Sequence, residues 1–96
     1  MNVKDLFNLS GKTAIVTGGG RGIGKFIATG LAEAGANVVI ASRKIDKLEK
    51  AAEDIRKLGV KCIPVKCDMG NKDDILNLVD VTMKEFGTVD ILVNNA

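Results

Sequence analysis

The residues with the most chemistry to offer run from Thr17 to Gly24 in the order Thr-Gly-Gly-Gly-Arg-Gly-Ile-Gly. Gly18, Gly22 and Gly24 give the spacing G-x-x-x-G-x-G. A bend of this kind at the head of a helix presents backbone N–H groups and the positive end of the helix dipole. That combination holds a phosphate. Side chains in the bend would keep a pyrophosphate at a distance, and some positions need a positive φ that glycine adopts without penalty. A glycine run alone is a weak signal. The same run between an apolar strand and a helix of a βαβ unit points to phosphate much more than to an empty tight turn.

The elements around the bend supply that setting. Thr13 to Thr17 is a short apolar run bounded by Gly11 and Gly18, which suits a buried strand. Gly22 to Ala34 reads as a helix, with Ile23, Phe26, Ile27, Leu31 and Ala34 on one apolar stripe and Gly35 ending it. Asn37 to Ala41 is a second strand. Ile45, Leu48, Ala51, Ala52, Ile55 and Leu58 fall at helical spacing, with Gly59 as the stop. Lys61 to Cys67 is a third strand, and its Pro64, which cannot donate to a ladder, predicts an edge position. Ile75, Leu78, Val79, Met83 and Phe86 mark a third helix before Gly87, and Val89 to Val93 is a fourth strand. Apolar strands alternating with amphipathic helices predict an α/β fold, a parallel sheet covered on both faces. Right-handed crossovers put the first two helices on one face. A reversal after the third strand puts the third helix on the other, for a strand order of 3-2-1-4. One helix cannot cover four strands, and Val89 to Val93 would form an open apolar edge. The expectation is therefore the first part of a longer fold.

Composition narrows the function. The 96 residues are 46% hydrophobic and 27% charged, an ordinary globular make-up. A chain of this size buries roughly 60–70% of its unfolded surface in one core. A net charge of +2 argues against a nucleic-acid surface. With three aromatics, all Phe, there is no stacking platform for single strands. No run approaches the ~20 apolar residues of a membrane span, and Met1 to Asp5 carries no secretory signal pattern. Cys62 and Cys67 should point to opposite faces of one strand, two unbridged thiols suited to a reducing cytoplasm. The absence of His and the lack of further Cys argue against a metal site.

The motifs resemble those of the short-chain dehydrogenase/reductase family. Its T-G-x-x-x-G-[IL]-G pattern matches Thr17, Gly18, Gly22, Ile23 and Gly24. Its N-N-A-G pattern matches Asn94, Asn95 and Ala96, and its Asp after the third strand matches Asp68. The likeness covers essentially the whole chain. It implies a Rossmann-type doubly wound parallel sheet over residues 1–96, the N-terminal part of a single dinucleotide-binding domain. It also implies an oxidoreductase that moves hydride between a cofactor and a small-molecule hydroxyl or carbonyl substrate, homo-oligomeric at full length. By the same resemblance Gly20 belongs to the cofactor turn, Asp68 contacts the adenine amino group with Met69 beside the ring, and Asn95 and Ala96 face the cofactor ribose. Asp68 also reads as an ordinary turn or cap residue, and Asp90 as a local hydrogen-bonding residue before the fourth strand.

The choice of cofactor turns on Ser42 and Arg43. An acidic residue about here, some 20 residues beyond the glycines, would grip a ribose 2′-hydroxyl and favour NAD. Here Ser42 lies 18 residues after Gly24 and is followed by Arg43. A guanidinium pairs bidentately with a 2′-phosphate, which a carboxylate would repel. Ser42 adds a hydroxyl donor and Arg21 a second positive charge, so the expectation is NADP rather than NAD. Lys44 and Lys47 could raise the local positive potential, but they read first as the solvated start of a helix.

Hydride transfer at a carbonyl also needs an acid/base beside the oxygen. The family's Tyr-x-x-x-Lys pair, its Ser and its helix Asn all follow N-N-A-G, and this chain contains no Tyr. No catalytic residue is therefore expected within it. A non-catalytic dinucleotide-binding module is the alternative. An NAD-preferring sugar epimerase or dehydratase fits less well, because its usual T-G-x-x-G-x-x-G spacing is not found here.

Overall fold

A computed structural model describes residues 8–95; Ala96, expected near the cofactor, lies outside the described residues. The order is β1 (Thr13–Thr17), α1 (Gly22–Glu33), β2 (Asn37–Ser42), α2 (Ile45–Arg56), β3 (Cys62–Lys66), α3 (Lys72–Phe86) and β4 (Ile91–Asn94). The four strands form one parallel sheet in the order β3-β2-β1-β4. Thr17 pairs with Ala41 on one side and Asn94 on the other, and Ser42 pairs with Lys66. All four carboxyl ends therefore reach one rim. The chain crosses from β3 to the far side of β1, which makes a switch point between β1 and β4 at that rim.

The central strands β1 and β2 are buried on both sides because their side chains alternate between two cores. Val16, Val38, Ile40 and Cys62 pack with Ala28 and Ala32 of α1 and Leu48, Ala51, Ala52 and Ile55 of α2. Ile15, Val39, Ala41, Val65 and Cys67 pack with Leu78 of α3 on the other face. Cys62 and Cys67 are thus on opposite faces, both free thiols. Pro64 lies on the edge strand β3 opposite Ile40, where a missing N–H removes no inner ladder bond.

On two helices part of the expected apolar stripe turns away from the sheet, while Leu31 of α1 and Ile75, Leu78 and Phe86 of α3 pack as expected. On α1, Ile23 is 71% and Phe26 80% exposed, while Gly24, Ala28 and Ala32 are buried. Small residues at every fourth position let the helix lie close to the sheet; the bulky stripe would hold it away. On α3, Val79 and Met83 are exposed, and the packing face is Ile75, Leu78, Val81, Thr82 and Phe86. Thr82 is buried at no polar cost because its hydroxyl donates to the Leu78 carbonyl at 2.8 Å. Leu58 lies past the end of α2 and is exposed.

α3 is well specified at both ends. The Asn71 side chain caps it by accepting from the Asp74 N–H at 3.1 Å, Asp73 and Asp74 sit at its positive pole, and Gly87 closes it at φ 75°. Because α3 covers mainly β2 and β3, Leu92 on β4 is 66% exposed. Among the described residues no helix is long and apolar enough to cross a membrane.

Candidate functional site

The rim where the strands end carries the site. The β1–α1 bend doubles back on itself: Gly18 has φ 70° and its N–H donates to the Ala41 carbonyl at 2.6 Å. A Cβ on Gly18 would stand 3.0 Å from the Asn95 carbonyl oxygen, and one on Gly24 would run into the Gly18 carbonyl oxygen. The bend and the first turn of α1 can approach this closely only without side chains at these positions. Arg21 precedes α1 in an extended conformation and makes no side-chain cap, and no acidic residue sits in the first turn. The leading N–H groups of α1, which include those of Gly22, Ile23 and Gly24, have no intrahelical acceptor. Its positive pole is open, unlike that of α3.

Thr17 works beneath the bend. Its fully buried hydroxyl lies 3.3 Å from the Val93 carbonyl and 3.1 Å from Asn94 Oδ1 as donor, and accepts the Asn95 N–H at 2.9 Å. It ties the ends of β1 and β4 together rather than facing solvent.

A cleft of about 490 Å³ opens beside the bend. Gly18, Gly20 and Arg21 form one wall, and Ser42 and Arg43 at the end of β2 another. Asp68 and Met69 after β3 close it from the far side, with Asn95 beyond Gly18. The Ser42 hydroxyl accepts the Lys44 N–H at 3.2 Å, which fixes the turn into α2. Asp68 Oδ1 accepts the Gly70 N–H at 2.9 Å, and the Asp68 N–H donates to Asp74 Oδ2 at 3.0 Å. Asp68 therefore shapes the β3–α3 turn, whereas the cap of α3 is Asn71. Gly22, Ile23 and Gly24 belong to the first turn of α1 and do not line the cleft, nor does Thr17.

Four wall residues are not expected from the sequence: Ala41, Lys44, Lys47 and Cys67. Lys44 and Lys47 are not merely a solvated helix start, since both line the cleft. The period-2 alternation could have placed Cys67 beyond Ala41 and Val65 on the same face. Burial pushes the Cys67 thiol up from its ordinary range, and the nearby Asp74 and Asp68 charges push the same way. Both effects favour the thiol over the thiolate. The charged side chains on the wall are Arg21, Arg43, Lys44 and Lys47 against one Asp68, and none of the four cations has an ion-pair partner among the described residues. The charge on the wall is therefore mainly positive.

Asp90 sits at the opposite rim and reaches further than a local bond. Its Oδ2 accepts the Thr13 N–H at 2.9 Å while its own N–H donates to the Thr13 carbonyl at 2.9 Å, fastening β4 to the start of β1.

A parallel sheet in the order β3-β2-β1-β4, with a glycine bend, an open helix pole and a cationic cleft at its switch point, defines a doubly wound α/β protein. The chain belongs to the short chain dehydrogenase family, whose model matches residues 12–96. It is 46% identical over 89 residues to the peroxisomal 2,4-dienoyl-CoA reductase of Danio rerio, covering 92% of this chain and 30% of that protein. The crystal structure of hydroxysteroid dehydrogenase from Escherichia coli superposes with a TM-score of 0.92 at 40% identity, covering 99% of this chain and 40% of the other. That of L-sorbose reductase from Gluconobacter frateurii, complexed with NADPH and L-sorbose, gives 0.90 at 40% identity, covering 94% and 35%. The chain spans about a third of the length of the curated relatives it matches.

Proposed function

We propose that residues 1–96 are the N-terminal, cofactor-holding part of a single dinucleotide-binding domain in an NADP(H)-dependent oxidoreductase. The observation that carries the reading is the close fold-back at Gly18 and Gly24, where a Cβ would strike the Asn95 or Gly18 carbonyl, which brings the open pole of α1 up to the bend. A pyrophosphate fits it, held by backbone N–H groups. Arg43 and Ser42, with Arg21 across the cleft, would hold a 2′-phosphate. Asp68 and Met69 would flank the adenine, and Asn95 and Ala96 would lie by the ribose of the nicotinamide half. When bound, the nicotinamide supplies or accepts hydride. This chain's own residues bind and orient it. The acid/base that serves the substrate oxygen would lie beyond residue 96.

The substrate is a small molecule with a hydroxyl or carbonyl group, and the full-length protein works as a cytoplasmic homo-oligomer. The relatives support the reaction class, and the NADPH in the sorbose reductase complex supports the cofactor. In the full-length protein Arg43→Asp is expected to weaken NADPH by roughly 1–3 kcal/mol, the value of a charge-assisted contact, and to leave NADH nearly unchanged. Cofactor titration followed by turnover measures this. An equal effect on both cofactors would contradict the phosphate assignment, and binding without any turnover would favour a non-catalytic module.

A further inference from the structure

The sheet ends on one side at β3, and the bonds on the inner side of that strand fix what its outer side presents. The Val38 N–H donates to the Lys61 carbonyl at 3.0 Å and the Cys67 N–H to the Ser42 carbonyl at 2.8 Å. The register pairs Val38 with Cys62, Ile40 with Pro64 and Ser42 with Lys66. The alternation of a parallel ladder therefore turns the backbone groups of Lys61, Ile63, Val65 and Cys67 toward β2, and those of Cys62, Pro64 and Lys66 away from the sheet. Such an outward row is a template for another strand. Pro64, at its centre, has no N–H to offer. The Cys62 carbonyl is already taken, because Arg56 Nε at the end of α2 donates to it at 2.9 Å. That guanidinium stands where an added strand would have to run, about 4.8 Å out from β3. The hollow of about 300 Å³ at this place is lined by the charged residues Arg56, Lys61 and Glu85 along with Val60, Cys62 and Ile63. The edge on the other side differs: β4 carries no proline and no charged residue from Ile91 to Asn94.

We infer that Arg56 and Pro64 close the β3 edge to strand addition by a second copy of this chain, which leaves β4 as the side from which the sheet extends. Two copies meeting at identical edges would pair antiparallel about a two-fold axis. Centred on Pro64, this sets the two prolines opposite each other and each Cys62 opposite Lys66 of the other copy. The central pair then has no N–H on either side. In the flanking pairs the Lys66 N–H needs the Cys62 carbonyl that Arg56 holds, so only the bond from the Cys62 N–H to the Lys66 carbonyl remains. Arg56 also complements the dipole at the C-terminus of α2, a role it shares with the neighbouring Lys57.

The test uses the full-length protein and follows molar mass by light scattering over a range of concentrations, together with hydrogen exchange of the β3 peptide. Pro64→Val restores the missing N–H in a strand-favouring residue, and Arg56→Ala frees the carbonyl. The Arg56→Ala/Pro64→Val variant is expected to gain at least about twofold in mass over the parent assembly as concentration rises, since pairing of two copies is the smallest step. Its β3 amides should exchange more slowly at the high concentration only. Arg56→Ala, which leaves the strand sequence intact, should show the same trend more weakly and carries the test if the double variant does not fold. Lys57→Gln removes a positive charge from the same helix end without touching the edge and should keep the parent mass. Parent mass at every concentration in whichever of the two Arg56 variants folds, or added mass without slowed exchange in β3, would overturn the inference. An equal gain in Lys57→Gln would also overturn it, by tracing the effect to helix-end charge.

Discussion

Gly24 sits inside a helix, where Ala would be the better residue by about 0.8–1.0 kcal/mol on propensity alone. Its surroundings reverse that preference. A Cβ at this position would overlap the Gly18 carbonyl and stand 2.9 Å from Asn95 Nδ2. Relieving such a clash moves backbone and costs about 1–3 kcal/mol. Gly24→Ala is therefore expected to lower the melting temperature of the full-length protein despite the improved helix former, and to weaken both nicotinamide cofactors together. A raised melting temperature with unchanged binding would show that the close fold-back is not required. At this scale much of the site is legible in the sequence. Gly18, Arg21, Ser42 and Arg43, picked out by residue type and spacing, and Gly20, Asp68, Met69 and Asn95, implied by the family resemblance, all line the cleft. Lys44, Lys47 and Cys67 are not legible in the same way. Their place on the wall depends on how the start of α2 and the end of β3 are aimed, and a charge pattern alone reads the lysines as solvated.

At the scale of elements, strands proved easier to read than helix faces. Each apolar run became a strand within two residues of its expected bounds, because a doubly covered parallel strand needs only continuous apolar character. Helix faces are harder, since hydrophobicity says which residues prefer burial but not how closely a helix must lie. α1 is drawn down by the glycine bend at its start, and Ala28 and Ala32 then meet the sheet in place of Ile23 and Phe26. Thr82 escapes an apolar count because its side chain is polar, yet its hydroxyl is satisfied within its own helix by the Leu78 carbonyl one turn back. Ala28→Leu is expected to destabilise the protein by about 1–3 kcal/mol through overpacking, read as a lower urea midpoint at unchanged slope. A shift below about 0.5 kcal/mol, the range of ordinary surface changes, would mean that α1 tolerates a larger gap than its small-residue face implies.

For the whole molecule, the two faces of the sheet are unequally covered. α1 and α2 share one face, whereas α3 alone serves the other and leaves Leu92 exposed along with its own Leu76, Val79 and Met83. β4 is a parallel edge strand with apolar residues, a template for pairing with another chain. The 96 residues on their own are expected to associate at micromolar concentration in light-scattering measurements, and Leu92→Lys should reduce that association. A monomer at every concentration with a sharp unfolding transition would contradict the reading of these surfaces as incomplete. What the molecule does present in finished form is the rim, where bend, helix pole and cations converge on one cleft. The most direct test is calorimetric titration of the full-length protein with NADPH and with NADH. Both should bind through the glycine cradle, NADPH more tightly by at least about tenfold, or ~1.4 kcal/mol. Binding of neither, or of both with equal affinity, would contradict the account.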